Sequence, residues 1–546
     1  MKRKAVAAVL TAVMVASMFT GCGSDNGSSS AKSASAASAA SAANDTVDED
    51  GKVNGIMYQE GLPLVDEGDY TFSIFCDDSS ESGEFIMLDE FKKQTNVDVD
   101  LKIYPYETAT ERLNLDLNSG DYADVIGGWT LSDNAILTYG VNQGVFIPLE
   151  DYFEKYCPNI SAILDLPGVR EKMTAPDGHI YTIPYVCGDT TVGYSPYINT
   201  KWLENVGMSM PTTTDEFEAV LKAFKEQDAN GNGDASDEIP FSTDPNNKHI
   251  EAMAGYFGLP MNKLGIAIQD EKVVYGGVSN TYREFLSWFH KLYADGLVDV
   301  ELYTQDSSTW EGKGNQDLYG VSIAYGSNEF TGIPAAEERG DFDSMPVLNT
   351  DKGGIWLRDT EGFSVYRTQA VITNKAEHPE IICRWFDNAF ALENGIGCNR
   401  GPVGVIVNKE DDGYHAIDTT TLSEEDQEKY SWSNLWPQSL PKYLPADFEF
   451  VEEHPMYDEK KATEEAYEAN LTKEIIPSYW IDLDKIDTFS DTNTAIKDFF
   501  EQQQAQFVCG ELDIDNDDDW QAYVDGMYSL GLEDWVATQG IEEIAK

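Results

Sequence analysis

Basic residues are scarce in this sequence, and their scarcity excludes some partners. The 546 residues include 37 Lys and Arg against 97 Asp and Glu, which gives a formal net charge of −60. Such a surface repels phosphate backbones, so we expect no binding to nucleic acid through charge. The charge does not indicate disorder, because 41% of the residues are hydrophobic and 12% aromatic, enough for a sizeable core. The length predicts two or three lobes.

The signatures of several enzyme classes are also missing. The six histidines form no H-E-x-x-H motif, and the chain has no G-x-S-x-G, P-loop or G-x-G-x-x-G sequence. An anchored glycoside hydrolase stays open, because its two carboxylates have no local signature and this chain has many acidic residues.

Cysteine is scarce as well, and its spacing does not predict a disulfide framework. Seven cysteines are present, none in a C-x-x-C arrangement. We interpret the six after Cys22 as isolated buried thiols, since a large core does not require disulfides.

No hydrophobic run is long enough to span a membrane. The longest, from Ala5 to Thr20, follows the basic residues 2–4 and is typical of an export signal over residues 1–21. The sequence Thr20-Gly21-Cys22 resembles the bacterial lipoprotein signal, in which the cysteine is lipidated. From Ser28 to Ala43 every residue but Lys32 is Ser or Ala, which predicts a flexible tether over residues 22–60. The alternative is a plain secretion signal with an incidental cysteine.

Alternating and helical patterns predict an α/β fold with a largely parallel sheet. Strands are predicted at Tyr70–Phe75, Val97–Ile103 and Asp124–Gly128, with a helix over Ser82–Thr95 between the first two. A capping box at Thr213 and Glu216 predicts another helix start, and apolar residues at 217, 220, 221 and 224 predict the buried face of this helix. Pro379 is predicted at the first position of a further helix, after a short strand at 370–373.

The segment from Asp228 to Pro240 has the ligand layout of an EF-hand calcium loop. Oxygen donors occupy positions one, three and five, and a glycine occupies position six, where the backbone turns sharply. Asp234 would offer its backbone carbonyl, and Glu238 would close the shell one position early, with Asp237 as another ligand. The predicted calcium ligands are Asp228, Asn230, Asn232, Asp234 and Glu238. A proline follows, so we expect a lone structural site; the alternative is a metal-free surface turn.

With these motifs, the sequence resembles the family 1 extracellular solute-binding lipoproteins of ABC importers. The calcium loop resembles that of the alginate-binding subgroup, and the order of five stretches resembles the family from about residue 66 to the end. These stretches are 117–126, 177–184, 197–203 with 211–214, 228–240, and 371–373 with 379–380.

The resemblance implies two α/β lobes that close over a ligand between them. The chain would cross between lobes near Cys187–Gly193 and return near Ser364–Thr368. The expected N-terminal lobe comprises residues 61–190 and 366–405, and the C-terminal lobe residues 191–365 and 406–546. The implied function is capture of an oligosaccharide for an ABC permease by a monomer, held by lipid on the extracellular face of the cytoplasmic membrane.

Sugar binding requires aromatic platforms and paired polar groups, which we expect at the carboxyl ends of strands. Trp129 is the main candidate platform, with core packing as the alternative. Trp432 and Trp436 are candidates to close over the ligand, whereas Trp385 is predicted in a helix core. Trp310 is predicted in a polar loop, where an exposed tryptophan has little structural reason. The candidate ligand contacts are Asp77, Asp78, Trp129, Tyr194, Tyr197, Trp310, Tyr325, Asn328, Trp356, Arg358 and Arg400.

The acidic composition favours a neutral or cationic solute over a uronate, unless Arg358 or Arg400 reverses the local field. A peptide or another polar solute stays open as the ligand. A surface adhesin is a third function class, which the tether favours and the α/β pattern does not.

Overall fold

The computed structural model describes residues 45–78, 84–244, 249–332, 340–445, 448, 450–451 and 455–545. The predicted export signal, Cys22 and the tether up to residue 44 lie outside the described residues, as do Ser82 and Gly83 of the first predicted helix. Within the described part of the chain, no helix has both the length and the apolar character to cross a membrane.

A first sheet confirms the predicted β-α-β opening. Its five strands lie in the order Val97–Tyr104, Tyr70–Asp77, Val125–Gly127, Phe363–Ile372 and Thr182–Gly188. The first three strands are parallel, and Phe363–Ile372 runs antiparallel to both of its neighbours. Successive side chains enter cores on opposite faces of the sheet, as Val125 and Ile126 do. Burial on both faces explains why this central strand is continuously hydrophobic.

Tryptophans fill the core on one face of this sheet. Trp385, on helix Pro379–Ala389, is fully buried and lies 5.3 Å from Phe72 and 5.7 Å from Trp436 between ring centroids, as its predicted core role requires. Trp436 is also fully buried, so the hypothesis that it closes over a ligand is wrong. Together with Leu440 it joins the core of the first sheet. This packing contradicts the predicted assignment of residues after 405 to the other lobe, at least for this segment.

A second sheet has its own core. Its strands lie in the order Phe342–Ser344, Ser195–Asn199, Tyr319–Ala324 and Ile239–Thr243. Helix Thr214–Glu226 buries its predicted apolar face against it. The Thr213 hydroxyl accepts the N–H of Glu216, but the Glu216 carboxylate bonds to Thr212, one residue before the expected cap.

Crossing segments connect the two sheets. The first runs from Thr182–Gly188 to Ser195–Asn199, where the sequence predicted it. The second runs from Trp356–Arg358 to Phe363–Ile372, a few residues before the predicted return. Residues 364–366 pair with residues 187–185 across the first sheet, so the predicted crossing point is strand instead.

The remaining strands form small sheets around these two. They are Lys52–Val53 with Met57–Tyr58, Ile266–Gln269 with Lys272–Tyr275 and Glu543–Ile544, Trp356–Arg358 with Leu471–Ile475, and Val407–Glu410 with Gly413–Ala416. The other α-helices of seven residues or more are Ile86–Thr95, Tyr106–Ser119, Glu150–Tyr156, Pro158–Leu164, Thr200–Val206, Asn280–Ala294, Ser307–Asn315, Leu392–Arg400, Pro455–Tyr467, Ile486–Cys509, Asp517–Ser529 and Leu532–Thr538.

Candidate functional site

Asp189, on the first crossing segment, joins the edges of the two sheets. Its Oδ1 accepts a hydrogen bond from the Tyr325 hydroxyl at 3.1 Å. Its Oδ2 accepts from the hydroxyls of Ser364 at 2.5 Å and Tyr366 at 3.2 Å. Tyr325 follows a strand of the second sheet, and the other two residues belong to the first. Sequence reasoning missed Asp189, although it lies within the predicted crossing.

Aromatic side chains surround this carboxylate. Trp129 is 44% exposed, which excludes the alternative that it packs in the core. Its ring meets Tyr366 edge-on at a centroid distance of 5.3 Å, and Tyr366 stacks on Tyr185 at 5.4 Å. Tyr366 and Tyr325 are each more than one-third exposed. The edge therefore presents several rings to solvent, of which the sequence predicted Trp129 and Tyr325.

Asp77 holds the turn that carries Trp129. Its Oδ1 accepts the N–H of Trp129 at 2.9 Å, and its Oδ2 accepts both the N–H and the hydroxyl of Thr130 at 2.6 Å. Asp78 is likewise buried and accepts the N–H of Gln438 at 2.7 Å. Both carboxylates bind backbone groups, which contradicts the prediction that they are presented to ligand hydroxyls.

Three basic side chains lie beneath or beside the rings. Lys442 is buried, with Nζ 5.1 Å from the Tyr185 ring centroid, and Lys460 Nζ lies 3.6 Å from that of Tyr325. Burial lowers the pKa of each lysine to about 8. Burial also lowers the pKa of Arg400, whose electrostatic neighbours include Tyr185 and Tyr325. The predicted contact Arg400 therefore lies in the same group of side chains.

The structure separates the two predicted tyrosines of the first crossing. Tyr194 is half-buried, stacks on His249 at 4.0 Å and meets the Tyr325 ring at 6.1 Å. Tyr197 is fully buried, and its hydroxyl donates to the Tyr325 carbonyl. Tyr194 is thus the one beside the exposed rings. Asn328, half-buried at the start of helix Asn328–Thr331, lies three residues beyond Tyr325.

Three other predicted ligand contacts pack against or bond to the protein itself. Trp310 is on a helix, is 3% exposed and donates its indole N–H to Ser322, so the expectation of an exposed tryptophan in a polar loop is wrong. Trp356 is 1% exposed within the core of the second sheet. Arg358 donates to the Thr472 carbonyl and lies 3.4 Å from Glu468. These contacts contradict a ligand-facing position for the two tryptophans and give Arg358 partners of its own.

The predicted calcium loop links helix Thr214–Glu226 to strand Ile239–Thr243. Asp228 Oδ2 accepts the N–H of Gly233, and Glu238 Oε1 accepts that of Ala229. The other oxygen of each carboxylate, Asp228 Oδ1 and Glu238 Oε2, is buried without a hydrogen-bond partner. The amide groups of Asn230 and Asn232 donate to both oxygens of Asp237. Two anionic oxygens in one loop thus lack a positive or donor partner among the described residues.

Comparisons with known proteins agree with this architecture. Residues 78–395 match the family described as bacterial extracellular solute-binding protein. The chain is 32% identical over 411 residues to the fructooligosaccharide ABC transporter substrate-binding protein FusA of Streptococcus pneumoniae serotype 4, covering 73% of this chain and 70% of that protein.

Two solved structures of S. pneumoniae FusA are similar, each covering 86% of this chain and 98% of that one. The complex with kestose has a TM-score of 0.75 at 27% identity, and an EF-hand mutant in complex with fructo-nystose has 0.73 at 26%. The fold is therefore the two-lobed α/β fold of such binding proteins, as predicted.

We expect Gly128→Ala to destabilise the Trp129 turn through Asp77. Gly128 has a φ of +129°, and a Cβ there would lie 2.3 Å from Asp77 Oδ1. Gly144 is the control, since it also has a positive φ but an added Cβ there would meet no other atom within 4 Å. Gly144→Ala should lower the free energy of unfolding by about 1–2 kcal/mol and Gly128→Ala by more, measured by urea denaturation.

A double-mutant cycle with Asp77→Ala separates the clash from backbone strain. The combined variant should lose less stability than the sum of the two single changes. Additive losses would show that Asp77 does not limit the space at Gly128.

Proposed function

Because the chain belongs to the family of bacterial extracellular solute-binding proteins, we propose that it captures a soluble oligosaccharide and, as a monomer, delivers it to the permease of an ABC importer. The exposed rings around Asp189 support this proposal most strongly, since sugars stack their C–H faces on aromatic rings. FusA is named for fructooligosaccharides, and we extend that ligand class to this chain.

Both lobes contribute to the proposed site, which supports a closing mechanism. Tyr325 and Tyr194 belong to the second sheet or its approach, whereas Trp129 and Tyr366 belong to the first. A ligand that contacts both sets favours the arrangement in which they are close, and the crossing segments absorb the rotation. In this proposal, the permease recognises that closed arrangement.

The charges near the rings suit a neutral sugar. Lys442 donates a hydrogen bond to the side-chain amide oxygen of Gln438, and Lys460 donates one to a backbone carbonyl. Asp189 accepts hydrogen bonds from hydroxyl groups. Arg358 is close to Glu468, so it does not supply an uncompensated charge for a uronate. The protein surface is acidic, whereas positive and negative groups both lie beside the rings. We therefore propose that the ligand is a neutral oligosaccharide.

Titration of the protein with kestose tests this function. We expect heat of binding and no reaction products, with product chromatography run on the same samples. Released sugars would instead indicate an anchored glycoside hydrolase. Binding of peptides but no carbohydrate in a ligand screen would contradict the proposed solute class.

In the same titration, Trp129→Ala should weaken kestose binding by roughly 1–3 kcal/mol, the scale for burying a large apolar side chain. Trp129→Phe, which keeps an aromatic face, is the matched control and should retain part of the affinity. Unchanged affinity in the alanine variant would rule out Trp129 as a platform.

We also propose a structural calcium ion in the loop from Asp228 to Glu238. Their two unpartnered carboxylate oxygens fit a hard cation that prefers oxygen ligands, and leaving buried anionic oxygens unpaired is costly. Asn230 and Asn232 would add side-chain oxygens, and Asp234 its backbone carbonyl. The ion would fix the end of the preceding helix against the following strand.

Calcium should raise the melting temperature relative to a chelator, because the ion binds only the folded loop. Asp228→Ala should abolish this shift. Asp234→Ala is the in-loop control, since its carboxylate bonds only to Ser236 nearby and its carbonyl remains, so the shift should persist. A shift that survives in Asp228→Ala would place the ion elsewhere.

The family is extracellular, and we propose that Cys22 is lipidated and holds the protein at the outer face of the cytoplasmic membrane. The basic and apolar leader and the Ser/Ala tether support this anchor. Cys22→Ser should move the protein from the membrane fraction to the medium on fractionation. Retention in the membrane fraction would contradict lipid anchoring at this residue.

A further inference from the structure

Exposed tryptophan is rare in this molecule and concentrated in one region. The described part of the chain contains all eleven tryptophans, and only Trp129 and Trp432 are more than one-third exposed, at 44% and 52%. An exposed indole adds no core packing, so its position needs another explanation. The contacts of these two residues connect them to each other.

A continuous series of contacts runs from Trp129 to Trp432. Ring centroids are 5.3 Å apart from Trp129 to Tyr366 and 5.4 Å from Tyr366 to Tyr185. Lys442 Nζ lies 5.1 Å from the Tyr185 centroid and 5.7 Å from that of Trp432. We call the four rings and this lysine the aromatic strip.

The aromatic strip follows the order of strands in the first sheet. Trp129 follows strand Val125–Gly127, Tyr366 lies on the next strand, and Tyr185 lies on the edge strand Thr182–Gly188. Tyr443, next to Lys442, then bridges to Val186 like one more strand. Neighbouring strands are about 4.8 Å apart, so each step along the strip advances by one strand. The strip therefore runs across the sheet edge, and its two tryptophans lie at opposite ends.

Trp432 is held in place although its ring is exposed. Its carbonyl accepts a hydrogen bond from Gln438 Nε2 at 2.8 Å, and the same amide donates to the Trp436 carbonyl. Trp432 begins the short helix Trp432–Leu435, which Leu435 and the following Trp436 anchor in the core. The Gln438 oxygen accepts from Lys442 at 2.5 Å, which fixes the cation under the ring. A fixed platform loses little conformational entropy when a ligand stacks on it.

We propose that Trp432 is a distal stacking platform, which makes this protein selective for oligosaccharides of four or more sugar rings. This inference rests on the proposed function. One sugar ring covers about one aromatic ring, and two further rings lie between the tryptophans. A short sugar seated at Trp129 therefore ends before Trp432, and only a longer chain contacts both.

The test is a ladder of sucrose, kestose and nystose, with two, three and four sugar rings, titrated into wild-type and variant proteins. The wild-type affinity should rise along the ladder. Trp432→Ala should lower the nystose affinity at least tenfold and leave sucrose binding within twofold. Trp432→Tyr should restore part of the loss, whereas Trp129→Ala should weaken binding of every sugar that binds.

Tyr528→Ala is the matched control, because it removes another exposed ring, 42% accessible, on helix Asp517–Ser529, which packs on helix Ile486–Cys509. It should change none of the affinities, and unchanged melting temperatures would show that the variants fold. An equal loss for all three sugars, or no loss, in Trp432→Ala would overturn the distal platform alone. If the wild-type protein bound none of them, the proposed ligand would be wrong and this inference with it.

Discussion

The carboxylate of Asp189 is the point at which the two halves of this protein meet. It lies on a segment that must bend if the lobes move. It accepts hydrogen bonds from two hydroxyl groups on one strand of the first sheet and from the hydroxyl of Tyr325, which follows a strand of the second. Hydrogen bonds to an ionised acceptor are stronger than neutral ones, so the carboxylate orients the rings of Tyr325 and Tyr366. A rotation at the crossing therefore changes the positions of these rings. The hinge and the proposed ligand surface are mechanically the same region.

Around this point, charged groups support rings instead of facing solvent themselves. Asp77 binds the backbone that carries Trp129, and Lys442 and Lys460 lie against Tyr185 and Tyr325. A buried cation is costly unless it is compensated, and here carbonyl oxygens and ring faces supply the compensation. The proposed site combines aromatic area with balanced charge, which is the surface that a neutral sugar requires.

The sequence predicted elements whose signal is local and failed where tertiary packing decides. Alternation located the strands that begin at Tyr70 and Val97, and spacing located the buried face of helix Thr214–Glu226. Trp310 was misjudged because its polar neighbours occupy the other side of a short helix, while its own side packs on Phe330. The aromatic strip combines residues from four distant parts of the chain. No local pattern joins Tyr185 to Lys442, since only the pairing of their segments brings them together.

The predicted calcium loop departs from the EF-hand pattern at its closing carboxylate, and the fold explains this departure. In an EF-hand the carboxylate at position twelve closes the calcium shell and a helix follows, whereas here a strand of the second sheet begins at that position. Glu238, one residue earlier, turns its carboxylate back to the N–H of Ala229, and Asn205 bonds to the Ala229 carbonyl from a neighbouring helix. The loop thus joins two helices to a strand whose far end, at Thr243, lies near the proposed site. An ion bound at Asp228 and Glu238 would therefore fix the frame that holds Tyr325, without contacting the ligand.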